Sequence, residues 1–240
     1  MTRYANDLIR VAKAEEGYLE KKSNADLNSK SKNAGSNNYT KYGKWYGLNP
    51  AYWCAEYVSW CVNKAFGDCT IMYGKSASCE TIRQRFKDHK KYGNTPKEGA
   101  FIFFSGSRHP GAVHIGIVTR VSGDTVYTME GNTSSDKGVV DNGGAVNNKA
   151  YKKSYSKILG YGYPAYDTPK KNTTVNTGVK YGKVTASALN VRKQPSVTAK
   201  KCTFSPLTKG QKVKIVSKTG NWYLIEHNGK RGYVSAKYIA

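Results

Sequence analysis

From Tyr166 to Tyr181 the chain holds almost no large apolar side chain, and the sequence changes character across that gap. A stretch such as Asp167-Thr168-Pro169-Lys170-Lys171-Asn172-Thr173-Thr174 has nothing to bury, so it reads as a flexible linker. One hydrophobic core cannot span such a break. The 240 residues therefore divide into a first domain of residues 1–165, a linker of 166–181 and a second domain of 182–240.

In the first domain, helical patterns precede strand patterns. Residues 3–20 predict a helix with Leu8, Ile9, Val11 and Ala12 as its apolar stripe and Gly17 near its end. Ser23 to Lys44, rich in Asn, Ser, Lys and Gly, predicts a long loop. A second helix starts near Cys54, after Pro50, and stops around Ala65-Phe66-Gly67; a third runs from Ser78 to about Lys90. Strands follow at 100–104, 112–121, 125–130 and 158–163, with Ser122-Gly123-Asp124 as a turn and a Gly/Asn-rich interruption at 138–148. Helices followed by an antiparallel meander make an α+β domain. After the linker come only short strand runs, at 182–186, 189–192, 211–217, 222–227 and 231–235. Asn228-Gly229 is a two-residue hairpin turn, and the whole predicts a small β-barrel.

Charge limits the partners. The net charge is +23, and from Lys180 onward thirteen Lys and Arg face one acid, Glu226. Such a field attracts polyanions: nucleic acid, acidic lipid, or the phosphate-rich teichoic acids of a Gram-positive wall. A basic surface that serves only solubility is the plain competing reading. No base-reading motif is present, which leaves nucleic acid without a specific signal. Nineteen tyrosines against six phenylalanines favour amphipathic aromatic surfaces suited to carbohydrate or peptide. No run reaches the length of a membrane span, and residues 1–7 lack an apolar signal-peptide core. The expectation is synthesis in a cytoplasm and a non-secretory route to any outside target.

Five cysteines (54, 61, 69, 79, 202) leave at least one unpaired. Cys54 and Cys61, seven residues apart on one helix, stand about 10 Å apart along its axis and cannot bridge. No Cys or His spacing suits zinc. At most a Cys69–Cys79 bridge is expected, with Cys61, Cys69 and Cys79 otherwise read as small buried apolar residues.

Cys54 is different because it opens a helix, where partial positive charge stabilises a thiolate. A base is needed as well. On the run Val113 to Val118, Val113, Ile115 and Ile117 share the core face. His114 and Gly116 take the other, so this histidine is not packed inside its own sheet. His89, His109 and His227 read as solvated-helix, loop and barrel-surface residues. One strand further, Glu130 and Asn132 share a face, and either could accept the imidazole N–H; charge favours Glu130.

The segments Asn37–Gly43, Trp53–Cys61 (WCAEYVSWC), Val113–Val118 (VHIGIV) and Glu130-Gly131-Asn132 together resemble a CHAP domain, a papain-like fold of peptidoglycan-cutting amidohydrolases and peptidases, over roughly residues 3–165. The resemblance implies Cys54 as nucleophile, His114 as base, Glu130 as orienting residue and Asn132 as an auxiliary polar group. Two departures stand out. Pro96-Lys97-Glu98-Gly99 is followed by Ala100 where the family often has Asp. Asn33 to Trp53 also contains no carboxylate, so the calcium loop of some phage members is not expected. Residues 182–240 resemble a bacterial SH3 domain through Leu189–Arg192, Gly210–Ile215, Gly220–Ile225 and Gly229–Ser235. That likeness implies wall binding, which raises the local concentration of substrate around a tethered hydrolase. Trp222 reads as core, and Tyr223, Tyr233 and Tyr238 as candidate groove residues.

The joint expectation is a monomeric, cofactor-free and metal-free endolysin-like hydrolase acting on bacterial peptidoglycan and released to the wall by lysis or a holin-type lesion. It is an N-acetylmuramoyl-L-alanine amidase before a stem- or bridge-peptide endopeptidase of CHAP or NlpC type. An inactive wall-binding protein and a basic nucleic-acid-binding protein are the readings outside the enzyme class.

Overall fold

The large side chains of Phe101-Ile102-Phe103-Phe104 alternate between two buried faces, and that alternation sets the layers of the first unit. In the computed structural model, which describes residues 3–106, 110–135, 138–139, 142–167 and 180–240, the chain forms two compact units, 1–170 and 171–240. His109 and positions 168–179 of the expected linker lie outside the described residues.

The first unit is built on a six-stranded antiparallel sheet. Its strands are β1 (Tyr92–Gly93), β2 (Phe101–Ser105), β3 (Ala112–Ser122), β4 (Thr125–Thr133), β5 (Ala145–Lys152) and β6 (Ile158–Gly162), in the order β1-β6-β2-β3-β4-β5. Only β2 to β5 make a meander, since β6 returns to the far side of β2. Phe101, Phe103, Ile115, Ile117, Met129 and Val146 join the helices in the main core. Ile102, Phe104, Val118, Val126, Tyr151 and Tyr161 form a second, smaller core. The sheet is thus buried on both faces.

Four helices accompany it: α1 (Ala5–Ala14), α2 (Lys41–Tyr46), α3 (Cys54–Phe66) and α4 (Cys79–Asp88). Helix α1 is shorter than the predicted 3–20. At Gly17 the backbone turns left-handed (φ 82°), and its N–H goes to the Val146 carbonyl at 2.9 Å, so the chain leaves the helix to run along β5. Helix α2 begins inside the segment expected as loop, where the Thr40 hydroxyl caps it by accepting the Gly43 N–H at 2.9 Å. Helices α3 and α4 match their expected spans. Gly67 (φ 82°) ends α3, and Ser78 caps α4 by accepting from Thr81.

Strand β5 was not expected. Its sequence, Ala-Val-Asn-Asn-Lys-Ala-Tyr-Lys, hides the alternation because Lys149 takes a buried position and sends its ammonium to the Ser134 carbonyl at 3.0 Å. Tyr166 and Asp167, counted into the expected linker, are tied to the first unit. Tyr166 packs on Phe66 and donates to the Gly99 carbonyl, and the Asp167 carboxylate accepts the Arg3 N–H.

The second unit has the four-stranded antiparallel order β12-β11-β10-β7 and a two-stranded β8–β9 ladder. The strands are β7 (Lys180–Lys183), β8 (Ala188–Leu189), β9 (Leu207–Thr208), β10 (Lys212–Thr219), β11 (Trp222–His227) and β12 (Lys230–Ser235). Val184, Leu189, Val191, Leu207, Val213, Ile225 and Val234 fill its core. The expected Asn228-Gly229 turn is present, with both residues at positive φ. The expected barrel is not closed. Strands β8 and β9 are two residues long, Pro206 removes the N–H that would extend β9, and single bridges such as Arg192–Tyr233 and Val184–Ile239 stand in for ladders.

One close approach positions the site. Helix α3 crosses β4 at Gly131, where a Cβ would stand 2.6 Å from Cβ and Cγ of Tyr57 and 2.9 Å from the Trp53 ring. Gly131→Ala is expected to destabilise the first unit by about 1–3 kcal/mol. Thermal unfolding followed by circular dichroism measures this, and an unchanged Tm would contradict the close approach.

Candidate active site

Cys54 is the first residue of α3, and the aromatic cluster behind it fixes where that helix starts. Trp53 is fully buried, stacks on Tyr42 with ring centroids 5.5 Å apart, and donates its indole N–H to Glu20 at 3.0 Å. Tyr42 donates to Glu15 at 2.7 Å, and Tyr57 to the Ala12 carbonyl at 3.0 Å. Helices α1, α2 and α3 are thereby locked to one another through satisfied polar ends on large apolar rings.

His114 sits on β3 beside the β2–β3 register shift at Phe104/Ser105; such irregularities bend a strand and re-aim its side chains. The alternation reading put His114 on the face away from Ile115 and Ile117, and that face carries the second core. His114 is consequently only 2% exposed, with Phe104 against its ring. Its Nε2 meets Glu130 Oε2 at 2.9 Å. Gly116 leaves room for that carboxylate, since a Cβ there would stand 2.6 Å from Glu130 Cγ. Thr128 donates to Glu130 Oε1 at 2.5 Å and Tyr151 to Oε2 at 3.1 Å. A fully buried carboxylate thus holds three partners. With Nε2 committed to Glu130, Nδ1 remains for the hydrogen bond to the Cys54 sulfur.

Of the residues singled out in the sequence, the structure brings Cys54, His114 and Glu130 into one buried chain. Asn132 is on β4 with φ 54° and no exposure, but it makes no hydrogen bond to the imidazole. Neither its side-chain nitrogen nor its oxygen has a partner among the described residues. His89 is exposed and stacks on Tyr73, while His227 is half-buried and faces the Lys212 carbonyl.

All five cysteines are thiols, within the expectation of at most one bridge, and Cys69 and Cys79 do not pair. The reading of Cys79 needs correction. Cys79 is no inert apolar filler, because its sulfur lies 3.4 Å from that of Cys54. The reason is tertiary: α3 and α4 bring their first residues together, which no spacing along the chain reveals.

These contacts set the charges. The hydrogen bond between Cys79 and Cys54 pulls the Cys54 thiol well below its ordinary range. It is joined by a hydrogen bond and positive charge from His114 and by the Ala55 N–H, all against the opposing effect of burial. Burial alone would lower His114, but hydrogen bonds to Cys54 and Glu130, with their negative charges, push it up to about 10. These contacts favour a thiolate–imidazolium pair in the site. Among the described residues no group of three His, Cys, Asp or Glu comes together as metal ligands, and no helix is long and apolar enough to cross a membrane.

Glu56, two residues after Cys54, escaped the sequence reading. It is fully buried, and neither carboxylate oxygen has a hydrogen-bond partner among the described residues. Burial, and secondarily the charge on Cys54, push it up to about 8, so it is neutral at pH 7. Its place as the sole charge in the run Trp53 to Val62 was the available signal.

In the second unit, an open groove of about 970 Å³ is lined by residues including Leu189, Asn190, Arg192, Asn221, Trp222 and Tyr238. Trp222, expected in the core, is part of this lining. Of the three candidate tyrosines only Tyr238 reaches it; Tyr223 packs on the core, and Tyr233 pairs with Arg192 across β12.

A CHAP domain model matches residues 45–132, and a bacterial SH3 domain model matches residues 187–240. The chain carries a CHAP domain followed by a bacterial SH3 domain, the architecture of a peptidoglycan hydrolase joined to a wall-binding module. No curated protein sequence matches it. Among solved structures it is similar to the crystal structure of Ly7917, at 15% identity, covering 98% of this chain and 92% of that one with a TM-score of 0.43. It is similar also to Ly7917 with the hydrolyzing product of MDP, at 16% identity, covering 97% and 92% with a TM-score of 0.43. At that score the likeness decides nothing.

Glu56 generates a pH prediction. A carboxyl whose folded value is raised binds more protons folded than unfolded, so its stability contribution is intact below the unfolded value near 4.5. That contribution is lost as pH rises toward about 8. Glu56→Gln, which has no charge to bury, should gain stability over the wild type across that window, by roughly 2–4 kcal/mol at pH 8. Denaturant unfolding at pH 5 and pH 8 measures it; equal differences at the two pH values would refute it. In the second unit, Trp222→Ala with Tyr238→Ala should reduce pull-down on purified Gram-positive walls roughly tenfold or more. An unaltered pull-down would remove the groove as the wall contact.

Proposed function

We propose that the protein is a cysteine amidohydrolase of peptidoglycan, cleaving the amide between the lactyl group of N-acetylmuramic acid and L-alanine. The observation that supports cysteine-based amide cleavage is the Cys54–His114–Glu130 chain, buried at the start of α3 with the imidazole oriented by a threefold-bonded carboxylate; the same chain would serve a stem- or bridge-peptide endopeptidase, the second reading. In the reaction, the Cys54 thiolate attacks the amide carbonyl, and the backbone N–H groups at the start of α3 steady the oxyanion. The imidazolium of His114 then protonates the departing amine, leaving an acyl-thioester and a neutral imidazole. Water, deprotonated by His114, hydrolyses the thioester and restores the thiolate. Glu130 holds the ring and supports its positive charge, with Asn132 two residues on as an auxiliary polar group. The basic second unit keeps the enzyme on an anionic Gram-positive wall, where an endolysin acts.

Mass spectrometry of purified peptidoglycan after digestion tests the bond. Free lactyl ends together with new alanine amino termini are expected, whereas cut stems or cross-bridges would make the enzyme an endopeptidase. Cys54→Ala should lower wall solubilisation by roughly 10³-fold or more. Full retention of activity would refute the nucleophile assignment, and release of peptides by neither protein would favour a wall-binding role alone.

A further inference from the structure

Two helices begin at one point in the catalytic unit, and each begins with a cysteine. Cys54 and Cys79 are the first residues of α3 and α4; each is 6% exposed, and their sulfurs are 3.4 Å apart, within hydrogen-bonding distance for sulfur. We infer that Cys79 is a positioning residue for Cys54, donating its thiol proton to the Cys54 sulfur and so holding it as an oriented thiolate facing His114. The inference rests on the reading of Cys54 as the nucleophile.

The segment carrying Cys79 is fastened on both sides. Toward α3, the Ser59 hydroxyl donates to the Ser76 carbonyl at 3.0 Å and accepts the Ser76 N–H at 3.2 Å. The Ser76 hydroxyl in turn accepts the Ser78 N–H at 3.1 Å, and Ser78 caps α4. Toward β3, Glu80 accepts the Ala112 N–H, two residues before His114, while Arg83 grips the same carboxylate through two nitrogens at 2.7 and 2.9 Å. The three elements that supply Cys54, His114 and Cys79 are therefore cross-braced, and the sulfur–sulfur contact is built in.

The direction of donation follows from the neighbours. Cys54 receives the imidazolium and the Ala55 N–H, both of which favour its anion, whereas Cys79 is held protonated by its hydrogen bond to Cys54, by burial, by the Cys54 charge and by the Glu80 carboxylate on the next residue. Two adjacent buried sulfurs cannot both ionise cheaply, so the proton stays on Cys79. A thiol is a weak donor, but to an anion in a buried site it counts for more than in water. It also leaves the two sulfur roles unequal: one nucleophile and one donor.

The test is the pH dependence of iodoacetamide alkylation at Cys54 in the full chain, located by tandem mass spectrometry. Wild type should alkylate with a midpoint well below that of an ordinary cysteine. Cys79→Ala should raise the midpoint by about one pH unit or more, and Cys79→Ser, which keeps a donor, should stay closer to the wild type. If Cys79→Ala does not fold, Cys79→Val fills the thiol's volume without a donor and is used the same way. An unmoved midpoint in the donorless variant overturns the assignment, as do equal shifts in the serine and donorless variants. The two readings fail separately. Wall cleavage by Cys54→Ala would sink the nucleophile and leave the alkylation profile as it is, whereas an unmoved profile beside an inactive Cys54→Ala would sink only the role of Cys79.

Discussion

The catalytic unit depends on burying an imidazole without leaving either of its nitrogens unpaired. A histidine 2% exposed is tolerable only because Nε2 meets a carboxylate and the other nitrogen meets a thiol that gives up its proton. The carboxylate is tolerable in turn because Thr128 and Tyr151 complete its hydrogen bonds. Each charge in the chain is compensated by the next, so removing any member strands its neighbour in a low-dielectric setting.

Packing enforces that arrangement together with hydrogen bonding. Helix α3 reaches its place because Gly131 lets Tyr57 and Trp53 lie against β4, and Glu130 reaches its place because Gly116 has no side chain. The aromatic cluster of Tyr18, Tyr42, Trp53, Tyr57 and Trp60 then prevents α3 from sliding. Polar ends on these rings find partners in Glu15, Glu20 and backbone carbonyls, so the cluster is rigid as well as apolar. Glu56 is the exception in this neighbourhood: a buried carboxyl held neutral, its stability contribution given up to a position two residues from the thiol.

The second unit follows a different logic. Its core is seven aliphatic side chains on short strands, too few and too short to close a barrel by ladders. Its indole at Trp222 lines an open groove.

Local chemistry was legible in the sequence. The helix start at Cys54, the Ser78 cap, the stop at Gly67, the Asn228-Gly229 turn and the parity of His114 with Gly116 each depend on a few neighbouring residues, and each is present. Glu130 was placed by the same rule, but with Asn132 as its face-mate; Thr128, which donates to it from two residues earlier, was not singled out. What was not legible required distant segments to meet. The end of α1 at Ala14 comes from a hydrogen bond to Val146, and strand β5 is disguised by a buried lysine. Tyr151 reaches Glu130 only from that unexpected strand. The contact of Cys79 with Cys54 joins two helix starts twenty-five residues apart. The amino-acid order determined which residues could carry the chemistry, because propensity, capping and alternation act over a few residues. Tertiary packing decided which of them touch, because burial and close approach depend on what the rest of the chain brings alongside.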